Sequence, residues 1–185
     1  MTMRHILALL LVGALALPLP ARALPEALQA LRGELAGERA WHRWGSGDMT
    51  WFGFSLYRAT LWVAGQSDGA LREDVPLALR LEYRRDIPGA RIVDASVGEM
   101  QRLGVDAARL LVWEGEMRRL FPDVRKGDAI TGIFLPGRGA RFFLGGQPLG
   151  EVADADFARS FFAIWLDPRT RAPALRAALL RQQGG

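Results

Sequence analysis

Few side chains in this 185-residue sequence could perform catalysis. Beyond residue 23 there is one histidine, His42, and no Gly-x-Ser-x-Gly motif, so the sequence does not support a serine hydrolase triad. A lone histidine beside two tryptophans is more typical of a packing or surface residue than of a catalytic base. Asp154 and Asp156 precede an apolar helical segment, which is typical of helix capping rather than of an acid–base pair.

Metal and cofactor motifs are equally sparse. The sequence has no cysteine, and His42 has no neighbouring carboxylates at metal-ligand spacing, so we expect no metal site and no cofactor. A haem iron needs only one side-chain ligand, so counting residues leaves haem open. The glycine pairs at 137/139 and 145/146 lack the Gly-Lys-Ser/Thr ending of a phosphate loop and indicate hairpin turns.

The most distinctive stretch is residues 51–63, where aromatic and β-forming side chains concentrate. Both faces of the predicted strand are largely apolar, so we expect it to be covered on both sides. Two polar side chains, Tyr57 and Arg58, interrupt this run on opposite faces. Buried hydroxyl and guanidinium groups need partners, and such a partner can be protein, water or a bound ligand.

Composition and charge restrict the possible partners. The formal charge of +4 includes Arg4 and Arg22 and falls to +2 without residues 1–23. Basic and acidic residues are interleaved, which argues against a nucleic-acid-binding surface. Composition alone favours a solid core over an enclosed apolar pocket.

The first 23 residues have the order of a secretory signal peptide. Arg4 and His5 precede an apolar run over 6–17, and Ala21-Arg22-Ala23 provides a small-residue cleavage site. The apolar run is short for a membrane span, although an uncleaved anchor is the alternative. We therefore expect a signal peptide at 1–23 and one domain at 24–185. The mature protein would be periplasmic or secreted, without stable membrane insertion.

Periodicity and turn signals predict the remaining elements. They are a surface helix over 24–35, a hairpin with arms at 41–44 and 51–63 and a turn at 45–48, a strand over 77–84, helices over 90–103 and 107–121, strands over 129–135, 141–144 and 147–152, and helices over 157–165 and 173–181. Their order predicts an α+β fold in which helices pack on one face of a mostly antiparallel meander.

Several short motifs occur in an order that resembles the exported bacterial branch of the chalcone isomerase-like family. They are Gly45-Ser-Gly47, Tyr57-Arg-Ala-Thr-Leu-Trp62, Lys126-Gly-Asp128, Leu135-Pro-Gly-Arg-Gly139, Gly145-Gly146 and the segment from Asp156 to Leu166. The resemblance implies an open-faced β-sandwich, a large antiparallel sheet backed by helices, with a cleft between the two layers.

Plant members of that family divide into isomerases that close a flavanone ring and non-catalytic fatty-acid binders. The resemblance implies an arginine two positions after the Gly-x-Gly turn in both groups, and a tyrosine on the next strand in the binders. Tyr57 matches the tyrosine, whereas Met49 occupies the arginine position. Loss of that cation removes the main group for stabilising a phenolate or holding a carboxylate. Arg43, on the partner arm of the hairpin, is the better candidate to replace it, because Arg58 faces away from Tyr57.

The leading hypothesis is a non-catalytic periplasmic protein that binds a small apolar or amphipathic molecule of the fatty-acid type. The alternatives are a chalcone isomerase-type intramolecular lyase and an envelope interaction module with a solid core. The predicted ligand-binding residues are Tyr57, Arg43, Met49, Trp62, Phe161 and Trp165. Tyr57 is the expected hydrogen-bond donor, Arg43 the anion partner, and the aromatic residues the core or pocket wall.

Overall fold

A six-stranded antiparallel sheet forms the centre of the computed structural model, which describes residues 24–30, 40–51, 53–67 and 69–180. The strands are β1 (Trp41–Trp51), β2 (Phe54–Ala64), β3 (Leu77–Tyr83), β4 (Ala129–Leu135), β5 (Gly139–Leu144) and β6 (Gln147–Val152). Each strand pairs with the next along the chain, so the sheet order is β1-β2-β3-β4-β5-β6. The predicted α+β fold with an antiparallel meander is therefore confirmed.

Five helices accompany the sheet in the described part of the chain. They are α1 (Glu26–Ala30), α2 (Gly89–Arg102), α3 (Ala107–Leu120), α4 (Ala155–Leu166) and α5 (Pro173–Leu180). Asp106 begins α3 by accepting a hydrogen bond from the backbone of Arg109, as its position before the apolar stripe predicts. Residues 31–35 of the predicted first helix lie outside the described residues, as does the predicted signal peptide.

Two hydrophobic cores lie on opposite faces of the sheet. The larger core joins the sheet to α2, α3, α4 and α5, and includes the fully buried Trp44, Phe142 and Phe157. A smaller core on the other face joins Trp41, Trp62 and Ile133 to α1. The prediction that helices cover one face was therefore incomplete, because Ala27 and Leu28 of α1 are fully buried on the second face.

The first hairpin differs from the sequence prediction. Residues 45–48 do not form its turn but continue β1, which ends at Trp51, and β2 begins at Phe54. Gly53 lies in this connection with a φ of 80°, a conformation that glycine adopts without steric cost. The predicted single strand over 51–63 is thus two strands joined by a turn.

Gly45 and Gly47 serve helix packing instead. A Cβ added at Gly45 would lie 2.3 Å from the carbonyl oxygen of Leu179, and one at Gly47 would lie 2.8 Å from Cβ of Ala178. Both distances are too short for non-bonded atoms, so the absence of side chains lets α5 approach the backbone of β1. This close packing encloses the helix-side core at the edge of the sheet.

The pairing of β1 with β2 shifts register between Arg43 and Gly45, which is the geometry of a β-bulge. Before the shift Arg43 is opposite Trp62, and after it Gly45 is opposite Leu61 and Met49 is opposite Tyr57. Opposite residues in an antiparallel pair project from the same face. The bulge therefore places Arg43 and Met49 on different faces of the sheet.

Candidate functional site

Tyr57 lies near the start of β2 and faces the helices. It is opposite Met49 of β1 and Tyr83 of β3, and both neighbours belong to the helix-side core. Its hydroxyl oxygen accepts a hydrogen bond from the indole Nε1 of Trp165 at 2.9 Å. Its ring meets that of Tyr83 edge to face, with centroids 6.0 Å apart. The site thus joins one phenol, one indole and one thioether at the boundary between sheet and helices.

The position of Trp165 follows from the local sequence of α4. Asp154 begins the helix by accepting hydrogen bonds from the backbone N–H groups of Asp156 and Phe157, at 2.8 and 2.9 Å. The chain leaves the helix at Asp167, which precedes a proline. Between these ends, Phe157, Phe161 and Trp165 recur every four residues and share the face that packs on the sheet.

Aromatic rings fill the space between α4 and the sheet. Phe161 contacts five other rings, with centroid separations from 5.2 to 5.9 Å; they are those of Phe121, Phe142, Phe157, Phe162 and Trp165. Most of these pairs meet edge to face, the arrangement that the ring quadrupole favours. The Tyr57 hydroxyl is therefore covered by Trp165, and a ligand that reached it would have to displace the indole.

Burial keeps Tyr57 in its neutral form. Desolvation raises the pKa of its hydroxyl to about 12, the hydrogen bond from Trp165 opposes that rise, and the nearby charge of Glu99 adds to it. The pKa of Tyr83 is raised as well, first by burial and then by the proximity of Tyr57. At neutral pH the Tyr57 hydroxyl carries its proton and can act as a hydrogen-bond donor.

A charged cluster lies beside the phenol. Glu99 of α2 accepts hydrogen bonds from Arg102 at 2.8 and 3.0 Å, and its other carboxylate oxygen lies 3.1 Å from Arg171. The Glu99 side chain is 18% exposed, so this cluster is at the edge of the helix layer rather than inside it. Two guanidinium groups thus surround one carboxylate close to Tyr57.

A family model described as chalcone isomerase-like matches residues 44–181. The chain belongs to the chalcone isomerase-like family. An uncharacterised protein from Haemophilus influenzae is 29% identical to it over 140 residues, which are 76% of this chain and 68% of that protein. The resemblance predicted from the order of the motifs is therefore confirmed.

The crystal structure of a fatty-acid binding protein from Arabidopsis thaliana is also similar to this chain. The two superpose with a TM-score of 0.57 over 79% of this chain and 88% of the plant protein, at 14% sequence identity. Similarity at this level of identity shows a shared fold. The predicted chalcone isomerase-like architecture is thereby confirmed, with helices α2 to α5 backing the sheet.

The structure separates the six predicted ligand-binding residues into two groups. Tyr57, Met49, Phe161 and Trp165 lie together on the helix side of the sheet. Arg43 and Trp62 lie on the opposite face. The interpretation of Arg43 as a partner of Tyr57 was therefore wrong, because the bulge between Arg43 and Gly45 shifts the register that the sequence suggests.

Arg58 lies on the face opposite Tyr57, as predicted. Its guanidinium donates to the carboxylate of Asp48 at 3.0 Å and to the hydroxyl of Ser46 at 3.4 Å. Arg43 donates to the same hydroxyl at 2.7 Å. Both arginines thus belong to a polar network on the face opposite helices α2 to α5.

That second face carries a groove of about 700 Å³. It is lined by Leu24, Pro25, Glu26, Gln29, Arg43, Thr60, Trp62, Arg80, Gly127, Asp128, Ala129, Thr131, Leu144 and Gly145. Thr60, Arg80 and Thr131 are not among the functional residues predicted from the sequence. The strand register could have identified them, because Thr60 is opposite Arg80 and Arg80 is opposite Thr131.

Asp154 caps α4 as predicted, whereas Asp156 lies in the first turn of the helix and its carboxylate does not act as the cap. Asp154 also accepts a hydrogen bond from Trp113 Nε1 at 3.0 Å, while Asp156 pairs with Arg109 and Arg159. Desolvation raises the pKa of Asp154, but hydrogen bonds from Phe157, Trp113 and Asp156 outweigh it and lower the pKa overall. Among the described residues no group of three or more His, Cys, Asp or Glu side chains could hold a metal ion.

Proposed function

We propose that this chalcone isomerase-like protein is a non-catalytic, exported binding protein for a small apolar or amphipathic molecule of the fatty-acid type. The observation that carries the proposal is the environment of Tyr57. The neutral phenol of Tyr57 lies between sheet and helices, opposite a methionine and beside the second buried phenol, Tyr83. Sites for small amphipathic ligands commonly combine apolar walls with a few polar groups that fix one end.

The fold similarity to a fatty-acid binding protein supports the same class of ligand. A carboxyl head could replace the Trp165 indole as the hydrogen-bond partner of Tyr57, and the chain would then follow the aromatic wall of α4. Arg102 and Arg171 offset the negative charge of Glu99 near that head. Displacing the packed rings costs contact energy, so the ligand must replace the apolar contacts that it disrupts.

Met49 argues against catalysis at this position. A ring-closing isomerase develops negative charge on a phenolate oxygen, which a positioned cation stabilises. Met49 provides no charge, and Arg43 and Arg58 lie on the opposite face of the sheet. Of the arginines near Tyr57, Arg102 and Arg171 are paired with Glu99. A cyclisation assay with a chalcone substrate is therefore expected to show no rate above that of buffer.

Export rests on the sequence of residues 1–23. Their charged, apolar and small-residue order is the basis for a cleaved signal. Within the described residues no helix is long and apolar enough to cross a membrane. Cell fractionation and N-terminal sequencing of the mature protein test this part of the proposal, and a cytoplasmic protein that retains residues 1–23 would contradict it.

The binding experiment uses purified, delipidated protein and labelled hexadecanoate. We expect saturable uptake, and we expect the Tyr57→Phe variant to bind about tenfold more weakly, because a lost hydrogen bond to a charged group costs roughly 1.5 kcal/mol. Tyr83→Phe is the matched control, since it changes a neighbouring buried phenol that faces the same core. No uptake, or equal losses in both variants, would contradict the proposal.

A further inference from the structure

The groove on the second face has the composition of a binding site that is independent of Tyr57. Its centre is a row of polar side chains across three neighbouring strands, Thr60 of β2, Arg80 of β3 and Thr131 of β4. Trp62 lies two residues from Thr60 on the same strand and face, opposite Arg43 of β1. The sheet register thus brings two arginines, two hydroxyls and one indole to a common concave surface.

The two arginines are close enough to share one anion. Arg43 and Arg80 are separated by two strand spacings and about two residues along the strands, which places their Cα atoms roughly 12 Å apart. Two extended guanidinium side chains can converge on an anion across that separation. Both arginines already have protein partners, because Arg43 donates to the hydroxyl of Ser46 at 2.7 Å and Arg80 forms an ion pair with the carboxylate of Glu82 at 2.7 Å. A guanidinium has five N–H groups and can donate to more than one acceptor at the same time.

The apolar part of the groove contains an unsatisfied donor. The side chain of Trp62 is more than nine-tenths buried, and its indole Nε1 has no hydrogen-bond partner in the described part of the chain. The same holds for Trp41, its neighbour in the smaller core. Buried indole N–H groups normally find an acceptor, so two unpartnered donors in one core are an unusual feature of this face of the sheet.

Charge is distributed unevenly along the groove. Asp128 lines it three residues before Thr131, about 10 Å away at the usual strand rise, and Glu26 lines it beside Gly146. Asp128 and Glu26 would repel the second negative group of a ligand that carried one at each end. A ligand with one negative head would be oriented toward the arginines, with its apolar body against Trp62 and Leu144.

We propose that this groove binds an amphipathic anion, with a carboxylate or phosphate head held by Arg43 and Arg80 and an apolar body that packs on Trp62. The volume of about 700 Å³ lies within the range of small-molecule sites. This second site does not depend on the ligand proposed at Tyr57. It uses the sheet face that the helices α2 to α5 leave uncovered.

Indole N–H resonances can distinguish the two sites. The full mature chain, labelled with nitrogen-15, is titrated with dodecyl phosphate, dodecanoate, dodecanol and inorganic phosphate. We expect both amphipathic anions to shift the Trp62 resonance, and their two affinities compare the phosphate and carboxylate heads. The affinity measured with dodecanol or inorganic phosphate should be at least tenfold weaker. The Trp165 resonance reports the Tyr57 site separately, since that indole bonds to Tyr57.

Three variants test the assignment of the head group and wall. Arg80→Gln and Arg43→Gln should each weaken binding of dodecyl phosphate at least tenfold. Trp62→Phe should also weaken it; this variant keeps an aromatic ring but loses the indole resonance, so its binding is measured by calorimetry. Arg84→Gln is the matched control, because Arg84 donates to the other oxygen of Glu82 at 2.7 Å but does not line the groove. Circular dichroism of each variant verifies folding.

The outcomes are distinct. A shift of Trp165 alone would overturn the groove site and leave the proposed function intact. A shift of Trp62 alone would support the groove and contradict the site at Tyr57. Equal affinity for phosphate and dodecyl phosphate would overturn the amphipathic assignment, and equal losses in Arg84→Gln and Arg80→Gln would overturn the role of the arginine.

Discussion

Tyr57 and Tyr83 are the two tyrosines of the chain, and they are opposite each other on β2 and β3. Both rings lie on the helix side of the sheet, and burial raises the pKa of both hydroxyls. Because the pKa of both hydroxyls is raised, the pH at which tyrosinate absorbance appears reports whether the two phenols are buried.

The folded protein should therefore resist tyrosine ionisation in alkali. Tyr57 has a pKa of about 12 in the folded state and 10.0 in the unfolded state, so the folded state binds more protons between these values. The contribution of Tyr57 to the unfolding free energy is therefore constant below about pH 10 and decreases as the pH rises toward 12. The full loss from Tyr57 is about 2 to 3 kcal/mol, at 1.36 kcal/mol per pKa unit. Spectrophotometric titration of native and denatured protein measures it.

The variant Tyr57→Phe provides the control for that titration. It should remove part of the alkaline loss of stability and leave the contribution of Tyr83. Native protein that develops tyrosinate absorbance near pH 10, with a midpoint equal to that of the denatured chain, would show that these phenols are not buried.

Three hydrogen bonds converge on the carboxylate of Asp154. Asp154→Ala should destabilise the fold by about 1 to 2 kcal/mol for the lost cap, and further for the unpaired indole of Trp113. Asp106→Ala is the control, since it removes a cap without an indole partner. The pKa of Asp154 is lowered on folding, so its contribution is present above about pH 4 and decreases as the pH falls through the folded value.

Denaturant unfolding at neutral and acidic pH measures both variants. At neutral pH we expect Asp154→Ala to lose more unfolding free energy than Asp106→Ala. In acid the difference between the two losses should become smaller. Equal losses at every pH would show that the bond from Trp113 contributes nothing measurable.

Among the elements, β1 and α5 depend most closely on each other. Gly45 and Gly47 present bare backbone to α5, and a methyl group at Gly45 would lie 2.3 Å from a carbonyl oxygen of that helix. The helix cannot shift freely, because Leu175 and Leu179 are buried in the same core. This contact is therefore sensitive to a single added carbon atom.

Gly45→Ala should destabilise the protein by about 1 to 3 kcal/mol through overpacking. Gly115→Ala is the matched control, because Gly115 lies within α3 and an added Cβ would meet no atom within 4 Å. That change should stabilise the protein by roughly 0.5 to 1 kcal/mol, since alanine favours the helix. Thermal unfolding of both variants measures the difference, and a neutral Gly45→Ala would contradict the close packing.

Local patterns predicted most elements because their causes are local. The alternation of leucine with polar residues predicted β3, and Asp106 and Asp154 marked the starts of α3 and α4. The turn assigned to residues 45–48 was wrong for a reason that lies elsewhere in the chain. Glycine is frequent both in turns and where backbones approach closely, and only the position of α5 distinguishes the two.

The candidate site was predictable in part for the same reason. Strand alternation and the family resemblance identified Tyr57 on the helix side and Arg58 on the other. The prediction for Arg43 was wrong because the bulge places every residue of β1 before it on the opposite face of the sheet. No local feature of the sequence indicated the register shift at Trp44. The groove residues Arg80 and Thr131 needed the full strand order to be recognised as neighbours.

At the scale of the whole molecule, the sheet separates two chemically different surfaces. One is covered by four helices and an aromatic core that includes Phe142 and Phe161. The other carries the groove with Arg43 and Arg80 beside the short α1. A single meander thus carries the proposed apolar site and the proposed anion groove on opposite faces.

Ligand binding should stabilise the whole fold. At a free hexadecanoate concentration of 100 times its dissociation constant, mass action adds about 2.7 kcal/mol to the unfolding free energy. For a domain of this size the unfolding temperature should rise by roughly 5 to 10 °C. Differential scanning calorimetry measures the shift, which should be smaller in Tyr57→Phe at the same concentration. Saturable binding with an unchanged unfolding temperature would indicate that the ligand does not prefer the folded state.

The packing of α5 on β1 also sets an order of assembly. Each strand can pair with its predecessor as the chain lengthens, but the glycine surface of the first strand is covered by the last helix. The helix-side core therefore remains open at one edge until residues 173–180 are available. A chain that is synthesised from its N-terminus therefore cannot complete this core until its last helix has been made.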